Sequence, residues 1–133
     1  MEKRGDCLML SIKKILTLIL NYLLPTEMSL TPNNALANTD HHMCKLIKKG
    51  KTVRAYISVG YNDTSTGIAT DTTFFTIPEN YRPKIDITCP VSAWLTNGTP
   101  RLAYLTVYSE TGIITQRSSS SISQIYGAIE WTI

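Results

Sequence analysis

The sequence has few of the residues from which most metal and catalytic sites are built. It contains 2 histidines in 133 residues, and these are the neighbours His41 and His42. Side chains of adjacent residues in an extended segment point in opposite directions, so two adjacent imidazoles rarely bind one metal ion. No other pair of ligands has the spacing of a zinc site. The sequence therefore predicts no metal and no cofactor.

Cysteine is also scarce, with 3 residues and therefore an odd number. Their spacing is not that of a disulfide framework. A Cys44–Cys89 disulfide is one possibility. The other, which we favour, is that both are free thiols and that Cys89 acts as a small buried hydrophobic residue in a strand.

Charged residues are few, at 17% of the chain, and the net charge is only +3. With 43% hydrophobic residues, this low charge argues against disorder and suits a β domain with Thr- and Ser-rich surfaces. Much of the basic excess lies before and at Arg54, without the interleaved aromatic residues of a nucleic-acid groove. We therefore predict no nucleic-acid partner.

Candidate catalytic groups are not arranged in a recognisable pattern. The serines at 118–121 lack the glycines of a nucleophile elbow. Carboxylates are sparse after residue 50, and nothing in their spacing favours the flanking pair that a glycosidase needs. We predict that the protein is not an enzyme.

What the sequence does have near its N-terminus is an apolar stretch with helical periodicity. Its apolar residues recur at alternating four- and three-residue steps, which is the seam of a coiled coil. The seam consists of Leu8, Ile12, Ile15, Ile19 and Tyr22. Isoleucine at both seam positions favours trimers, and about two heptads would be marginal as an isolated helix. We predict an oligomerising stem helix with Ile12, Ile15 and Ile19 at the subunit interface.

Two other interpretations of this stretch remain open. As a membrane helix it is short, because Lys13 and Lys14 limit the uninterrupted apolar run to residues 15–24, whereas a bilayer needs about 20 residues. As a signal peptide it has a basic region, an apolar region and a small–x–small cleavage site at 35–37. The long polar stretch before that site is the weak point of the signal-peptide interpretation.

From residue 43 onward, short segments alternate between apolar and polar residues and are separated by turns. This period of two predicts strands with one face in a core. Asn97-Gly98 is the strongest hairpin signal, and Pro90 indicates an edge or a bulge because it cannot donate to a ladder. About seven to eight strands at this spacing predict an all-β fold, a small antiparallel β-sandwich or jelly roll. The predicted division is a stem helix at 1–25, a linker at 26–42 and a head domain at 43–133.

Aromatic residues occupy the non-core positions of several predicted strands. They are Tyr56, Trp94, Tyr104, Tyr108 and Tyr126. So many rings on one face of a sheet are typical of an interface. We favour a subunit interface that includes Tyr56, Tyr104 and Tyr108; a platform on which sugars stack is the second possibility. A bulge that shifts the alternation would instead bury some of these rings.

If a receptor is bound, loops are the expected place for it. Glycan sites typically combine an aromatic ring with Asp, Asn or Arg side chains that make hydrogen bonds. We therefore nominate Tyr61, Asp63 and Arg117 from two polar loops, together with Trp94 from the aromatic set. In a trimer, loops of neighbouring heads would form three equivalent clefts.

Five sequence segments, taken in order, resemble a known group of proteins. They are SIKKILTLILNYL, LIKKGKTVRAYISV, FFTIPENYRP, LAYLTVYSETGIITQ and GAIEWTI. This order is similar to the C-terminal head (receptor-binding) modules of tail-fibre and baseplate proteins from phages and prophages of Gram-positive bacteria, in which TIP-x-x-Y-R-P connects two strands. The resemblance implies a compact β-sandwich on a homotrimeric stem. It also implies a place in the virion tail, contact with other tail or baseplate proteins, and binding to a host cell-wall saccharide or another receptor.

A second function stays open beside this one. After cleavage of a signal peptide, the chain would be a secreted bacterial β-sandwich that binds carbohydrate or a surface. A mature N-terminus at Asn38 would support that function, and retention of the apolar helix would reject it.

Overall fold

The computed structural model describes residues 2–31, 39–41, 44–61, 67–118 and 122–133. These residues form an all-β domain preceded by one α-helix, as predicted. In chain order the elements are α1 (Glu2–Leu23), β1 (Thr26–Ser29), β2 (Thr39–His41), β3 (Lys45–Lys49), β4 (Thr52–Tyr61), β5 (Thr73–Thr76), a 3₁₀ helix (Glu79–Tyr81), β6 (Ile87–Leu95), β7 (Pro100–Val107), β8 (Ile113–Gln116) and β9 (Ile122–Thr132).

The strands belong to one antiparallel sheet that curls back on itself. The order is β1-β3-β4-β9-β6-β7-β8-β5, and β2 pairs with the far end of β4. Ile68, in the segment leading to β5, bridges to Ile122 at the start of β9. This bridge links the segment before the edge strand β5 to a strand in the middle of the sheet. The two halves of the curled sheet therefore enclose one core, as the layers of a sandwich do.

The core is built from the inward residues of alternating strands. On β4, Val53, Ala55, Ile57 and Val59 are buried, and the residues between them are half-buried or exposed. Strands β6, β7 and β9 repeat this pattern along much of their length. The buried hydrophobic residues form a single cluster. Removal of this apolar surface from water is the main force that holds the sheet in its curled form.

Strand β5 departs from the alternation. Phe74 and Phe75 are consecutive, yet both are completely buried, with their rings edge to face and their centroids 6.2 Å apart. An irregularity between Thr73 and Phe75 shifts the register of β5 against β8. A bulge of this kind inserts an extra residue and re-aims the side chains around it, which accounts for two neighbouring rings in the core.

The TIPENYRP segment between β5 and β6 closes one end of the sheet. Trp131 of β9 donates its indole N–H to the carbonyl of Tyr81 at 2.7 Å. The guanidinium of Arg82 donates to the carbonyls of Ile77 at 3.0 Å and Glu110 at 2.6 Å. The segment therefore ties the last strand and the β7–β8 turn together, which is a structural role.

The segment predicted as a linker, 26–42, contains two short strands. Helix α1 ends before Pro25, which has no N–H to continue it. Strand β1 then pairs with the edge of β3, and Leu30 behind it is buried and donates its N–H to the carbonyl of Cys44 at 2.8 Å. Main-chain hydrogen bonds form β1 without the apolar alternation that would have revealed it in the sequence.

The predicted Asn97-Gly98 hairpin joins β6 to β7. Gly98 has a φ of 79°, a left-handed conformation that glycine adopts without strain, and its N–H donates to the carbonyl of Leu95 at 2.9 Å. Pro90 pairs with Tyr104 of β7. Regular pairing of β6 with β9 covers only residues 92–95, so the proline lies where β6 has no ladder partner on the β9 side.

Candidate binding site

The nominated glycan-binding residues are only partly brought together. Tyr61 is the last residue of β4, and Asp63 lies outside the described residues. Trp94 projects from the outer face of β6 and is 42% exposed. Arg117 follows β8, donates its N–H to the carbonyl of Tyr104 at 2.8 Å and makes an ion pair with Asp71 at 2.6 Å. Trp94 and Arg117 therefore lie on either side of β7.

The five rings of the aromatic set lie in three different environments. Tyr108 follows β7, is half-buried and borders a cavity of ≈ 500 Å³. Beside it, the Asp86 carboxylate accepts the N–H and the hydroxyl of Ser109, each at 2.8 Å. The Ser109 N–H and then its hydroxyl hold the pKa of Asp86 below its usual value. This carboxylate is thus occupied in fixing the turn after β7.

Tyr56 lies among charged residues on the outer surface of β3, β4 and β9. Its hydroxyl accepts a hydrogen bond from Arg54 at 3.2 Å, and Arg54 also makes an ion pair with Glu130 at 2.6 Å. Lys45 lies 6.0 Å from the centre of the ring. The contact with Tyr56, followed by that with Glu130, raises the pKa of Arg54. A cavity of ≈ 320 Å³ opens here and is bordered also by Lys49; we call this region the charged end.

Trp94, Tyr104 and Tyr126 form a third region together with Leu102. They project outward from β6, β7 and β9. The exposed fractions are 42% for Trp94, 46% for Tyr104, 36% for Tyr126 and 59% for Leu102. The register places Tyr126, Ser92 and Leu102 in one row across the sheet. We call the surface of Trp94, Leu102, Tyr104 and Tyr126 the outer aromatic face.

The outward neighbours of these side chains on β6, β7 and β9 are uncharged, whereas Arg117, which follows β8, lies beside Tyr104. Trp94 lies in a row with Gln124 on one side and Pro100 on the other, and Pro90 lies beside Tyr104. The hydroxyl of Tyr126 donates to Gln124 Oε1 at 2.6 Å, which fixes the direction of that ring. The sequence predicted the outward direction of the rings. Their assembly into one surface required the order β9-β6-β7, which sequence alternation does not specify.

The predicted stem residues are uncovered in the chain. Ile12, Ile15 and Ile19 are 46%, 55% and 47% exposed. Every residue of α1 from Ser11 to Leu23 is exposed. Within the described residues, no helix is both long enough and apolar enough to cross a membrane.

Other sequence candidates have structural contacts. Ser118 is buried, accepts the N–H of Tyr104 on its hydroxyl at 3.1 Å and donates its own N–H to Gln116 Oε1 at 2.5 Å. Cys44 and Cys89 are free thiols, and burial raises the pKa of Cys44. Across the part of the chain that the structure describes, His, Cys, Asp and Glu form no group of three that could hold a metal ion.

Comparison of the sequence with protein-family models and with curated proteins finds no match.

Proposed function

We propose that this chain is the receptor-binding head of a phage or prophage tail fibre or baseplate, assembled as a homotrimer through α1, and that the head binds a saccharide of the host cell surface. The observation that carries the proposal is the contrast between a head with its own closed core and a helix with uncovered apolar residues. Most of the stability of helices in proteins comes from packing of an apolar face, and the apolar residues of α1 from Ser11 to Leu23 are exposed. We therefore infer that α1 packs against another chain.

The sequence of α1 favours another copy of itself as that partner. Ile12, Ile15 and Ile19 form the seam, and the flanking Leu16 and Leu18 are 52% and 68% exposed. Flanking leucines widen the apolar stripe beyond the narrow seam of a two-stranded coil. Three helices around one axis cover such a wide stripe better than two, which agrees with the preference of isoleucine at both seam positions for trimers.

The strand β1 weighs against the secreted module as the alternative. Cleavage at 35–37 would remove β1 from the edge of β3 and Leu30 from the core. Loss of a buried leucine and its surroundings costs about 2–5 kcal/mol in typical cores. The part of the chain that precedes the cleavage site therefore contributes to the folded head.

Sedimentation of the full chain tests the proposed assembly. We expect a mass of three chains, and we expect Ile15→Asn combined with Ile19→Asn to give the mass of one, because an asparagine in each seam position leaves buried amides without partners. Thr17→Asn is the matched control, since Thr17 is exposed, lies outside the seam and donates its hydroxyl to the Lys13 carbonyl of its own helix. A monomer with a fully formed helix by circular dichroism would contradict the proposal.

Binding of the head to host cells tests the second half of the proposal. Fluorescently labelled chain is expected to bind purified cell walls of a Gram-positive host and to lose that binding when the wall saccharides are removed chemically. Failure to bind any wall saccharide in a broad panel of strains would reject the receptor-binding function, whatever the oligomeric state.

A further inference from the structure

We propose that the outer aromatic face is the saccharide site and that its ligand is an uncharged polysaccharide, an inference that rests on the saccharide binding proposed above. The exposed outward residues of β9, β6 and β7 in this region include no charged side chain. They are Gln124, Tyr126, Pro90, Ser92, Trp94, Pro100, Leu102 and Tyr104. An uncharged surface offers no compensation for the hydration that an anionic polymer would lose on binding.

This face offers both kinds of group that bind a sugar ring: apolar rings for its C–H faces and polar groups for its hydroxyls. Trp94, Tyr104 and Tyr126 present apolar rings that also carry a polar atom, and the C–H faces of pyranose rings stack on such surfaces. Between the rings, Ser92 and Gln124 provide groups that can exchange hydrogen bonds with sugar hydroxyls. The 2.6 Å hydrogen bond from Tyr126 to Gln124 holds one ring in place before any ligand arrives, which reduces the ordering cost of binding.

The size of the face favours a sugar chain over a second folded subunit. At their observed exposures the three rings offer on the order of 250 Å², taking 150–250 Å² for a whole aromatic side chain, and Leu102 adds one smaller side chain to the apolar part of the face. A stable protein interface needs roughly 800 Å² from each partner. A few sugar units, in contrast, fit a patch of this size. The subunit contact that the sequence favoured for Tyr104 is therefore the less suitable use of this surface.

Arg117 borders the same face. Its backbone is bonded to Tyr104 and its guanidinium to Asp71 at 2.6 Å, so its charge is balanced locally. The remaining N–H groups of the guanidinium are donors for a neutral hydroxyl. Two of the residues nominated from the sequence, Trp94 and Arg117, thus lie at separate margins of one site.

Fluorescence and calorimetry on the full chain test this site. The probes are dextran, a soluble mixed-linkage β-glucan, a purified neutral wall polysaccharide and, as the anionic probe, a glycerol-phosphate teichoic acid. Of the 2 tryptophans, Trp94 is exposed and Trp131 is buried with its N–H bonded. A bound neutral polymer should therefore change the emission of Trp94 and shield it from a soluble quencher, and these changes should be absent in Trp94→Phe.

Single substitutions distinguish binding at this face from binding elsewhere on the sheet. We expect Trp94→Ala and Tyr126→Ala each to weaken binding of the neutral polymer by about tenfold or more, in line with the loss of one stacked ring. Trp94→Phe keeps a ring and should retain most of the affinity, so it controls for misfolding. Tyr56→Ala removes a ring from the charged end and should leave the affinity unchanged. Binding should change by less than about twofold between roughly 0.1 M and 1 M salt, because no ion pair is involved.

Four results would overturn the inference. Wall-saccharide binding that survives Trp94→Ala and Tyr126→Ala would place the site elsewhere and leave the proposed function standing. A decrease in the sedimenting mass of Trp94→Ala would identify the face as a subunit contact. Binding of the teichoic acid alone, abolished by salt, would assign the ligand to the charged end. No binding to any wall saccharide would reject the proposed function and this site with it.

Discussion

The charged end and the outer aromatic face share strand β9 and the same outward direction, yet their rings differ in accessibility. Glu130 of β9 belongs to the charged end, and Tyr126, four residues earlier, belongs to the outer aromatic face. At the charged end, Tyr56 is half-buried and bonded to Arg54, which is paired with Glu130. At the other end, Trp94 is 42% exposed and lies between uncharged neighbours. The side chains on neighbouring strands, more than the ring itself, therefore determine whether an outward aromatic side chain is accessible to a ligand.

Gly127 lies inside the sheet between these two ends, and its replacement is the most damaging change we expect. A Cβ at this position would be 2.5 Å from Val91 Cγ1 and 2.8 Å from Val91 Cβ, where β6 approaches β9. Gly127→Val should lower the free energy of unfolding by about 1–3 kcal/mol through overpacking. Urea unfolding measures this loss.

Ala128→Val is the matched control for that experiment. It enlarges the next residue of β9 by two carbon atoms, but on the exposed outer side, where substitutions usually change stability by less than about 0.5 kcal/mol. Equal losses for the two variants would mean that β6 and β9 separate easily, and the two ends would then not be parts of one rigid surface.

A carboxylate placed among the rings would remove the difference in charge between the two ends. We expect its effect on polysaccharide binding to be the second largest. Ser92 is exposed on β6 between Tyr126 and Leu102. We expect Ser92→Asp to weaken binding of the neutral polysaccharide by about tenfold or more, because the carboxylate would lose water beneath an uncharged ligand. Isothermal titration with the polymer that binds the unaltered chain provides the measurement.

Thr52→Asp adds the same charge to the other end and controls for the change in net charge. Thr52 borders the cavity that Lys49 and Arg54 also line, so the new carboxylate would have basic neighbours. Its affinity for the neutral polymer should equal that of the unaltered chain. Similar losses in Ser92→Asp and Thr52→Asp would indicate a ligand that covers both ends.

Much of the fold could be predicted from the sequence because its signals are local. The alternation of apolar and polar residues after residue 43 predicts strands, as observed along β4, and Asn97-Gly98 marks the turn of the β6–β7 hairpin. Strand β1 could not be predicted in this way, because it is defined by hydrogen bonds to β3 and carries no apolar alternation of its own. The bulge in β5 was hidden for a related reason, since it depends on the register with β8.

The candidate site could be predicted only as a set of outward rings. Trp94 and Tyr126 are 32 residues apart and become neighbours because β9 inserts between β4 and β6. Arg54 and Glu130, which differ by 76 positions, meet for the same reason. Nothing in the period of a single strand indicates which strand will pair with it, so the charged contacts that distinguish Tyr56 from the other rings were visible only in the folded chain.

The smallest effect that we expect is a salt-dependent change in the melting temperature when the ion pair of the charged end is removed. The ion pair between Arg54 and Glu130 is short at 2.6 Å, but its side chains are 48% and 50% exposed, and exposed pairs contribute little to stability. Glu130→Gln should therefore lower the melting temperature slightly at low ionic strength. The difference should vanish in about 1 M salt, where the screening length falls to roughly 3 Å. Tyr126→Phe removes a hydrogen bond between neutral groups, the one to Gln124, so its small loss should be the same at both salt concentrations.

Thermal unfolding of both variants at low and high salt compares the two ends directly. An identical salt response would show that the charges of Arg54 and Glu130 do not distinguish the ends energetically, and the accessibility of the rings alone would then separate them.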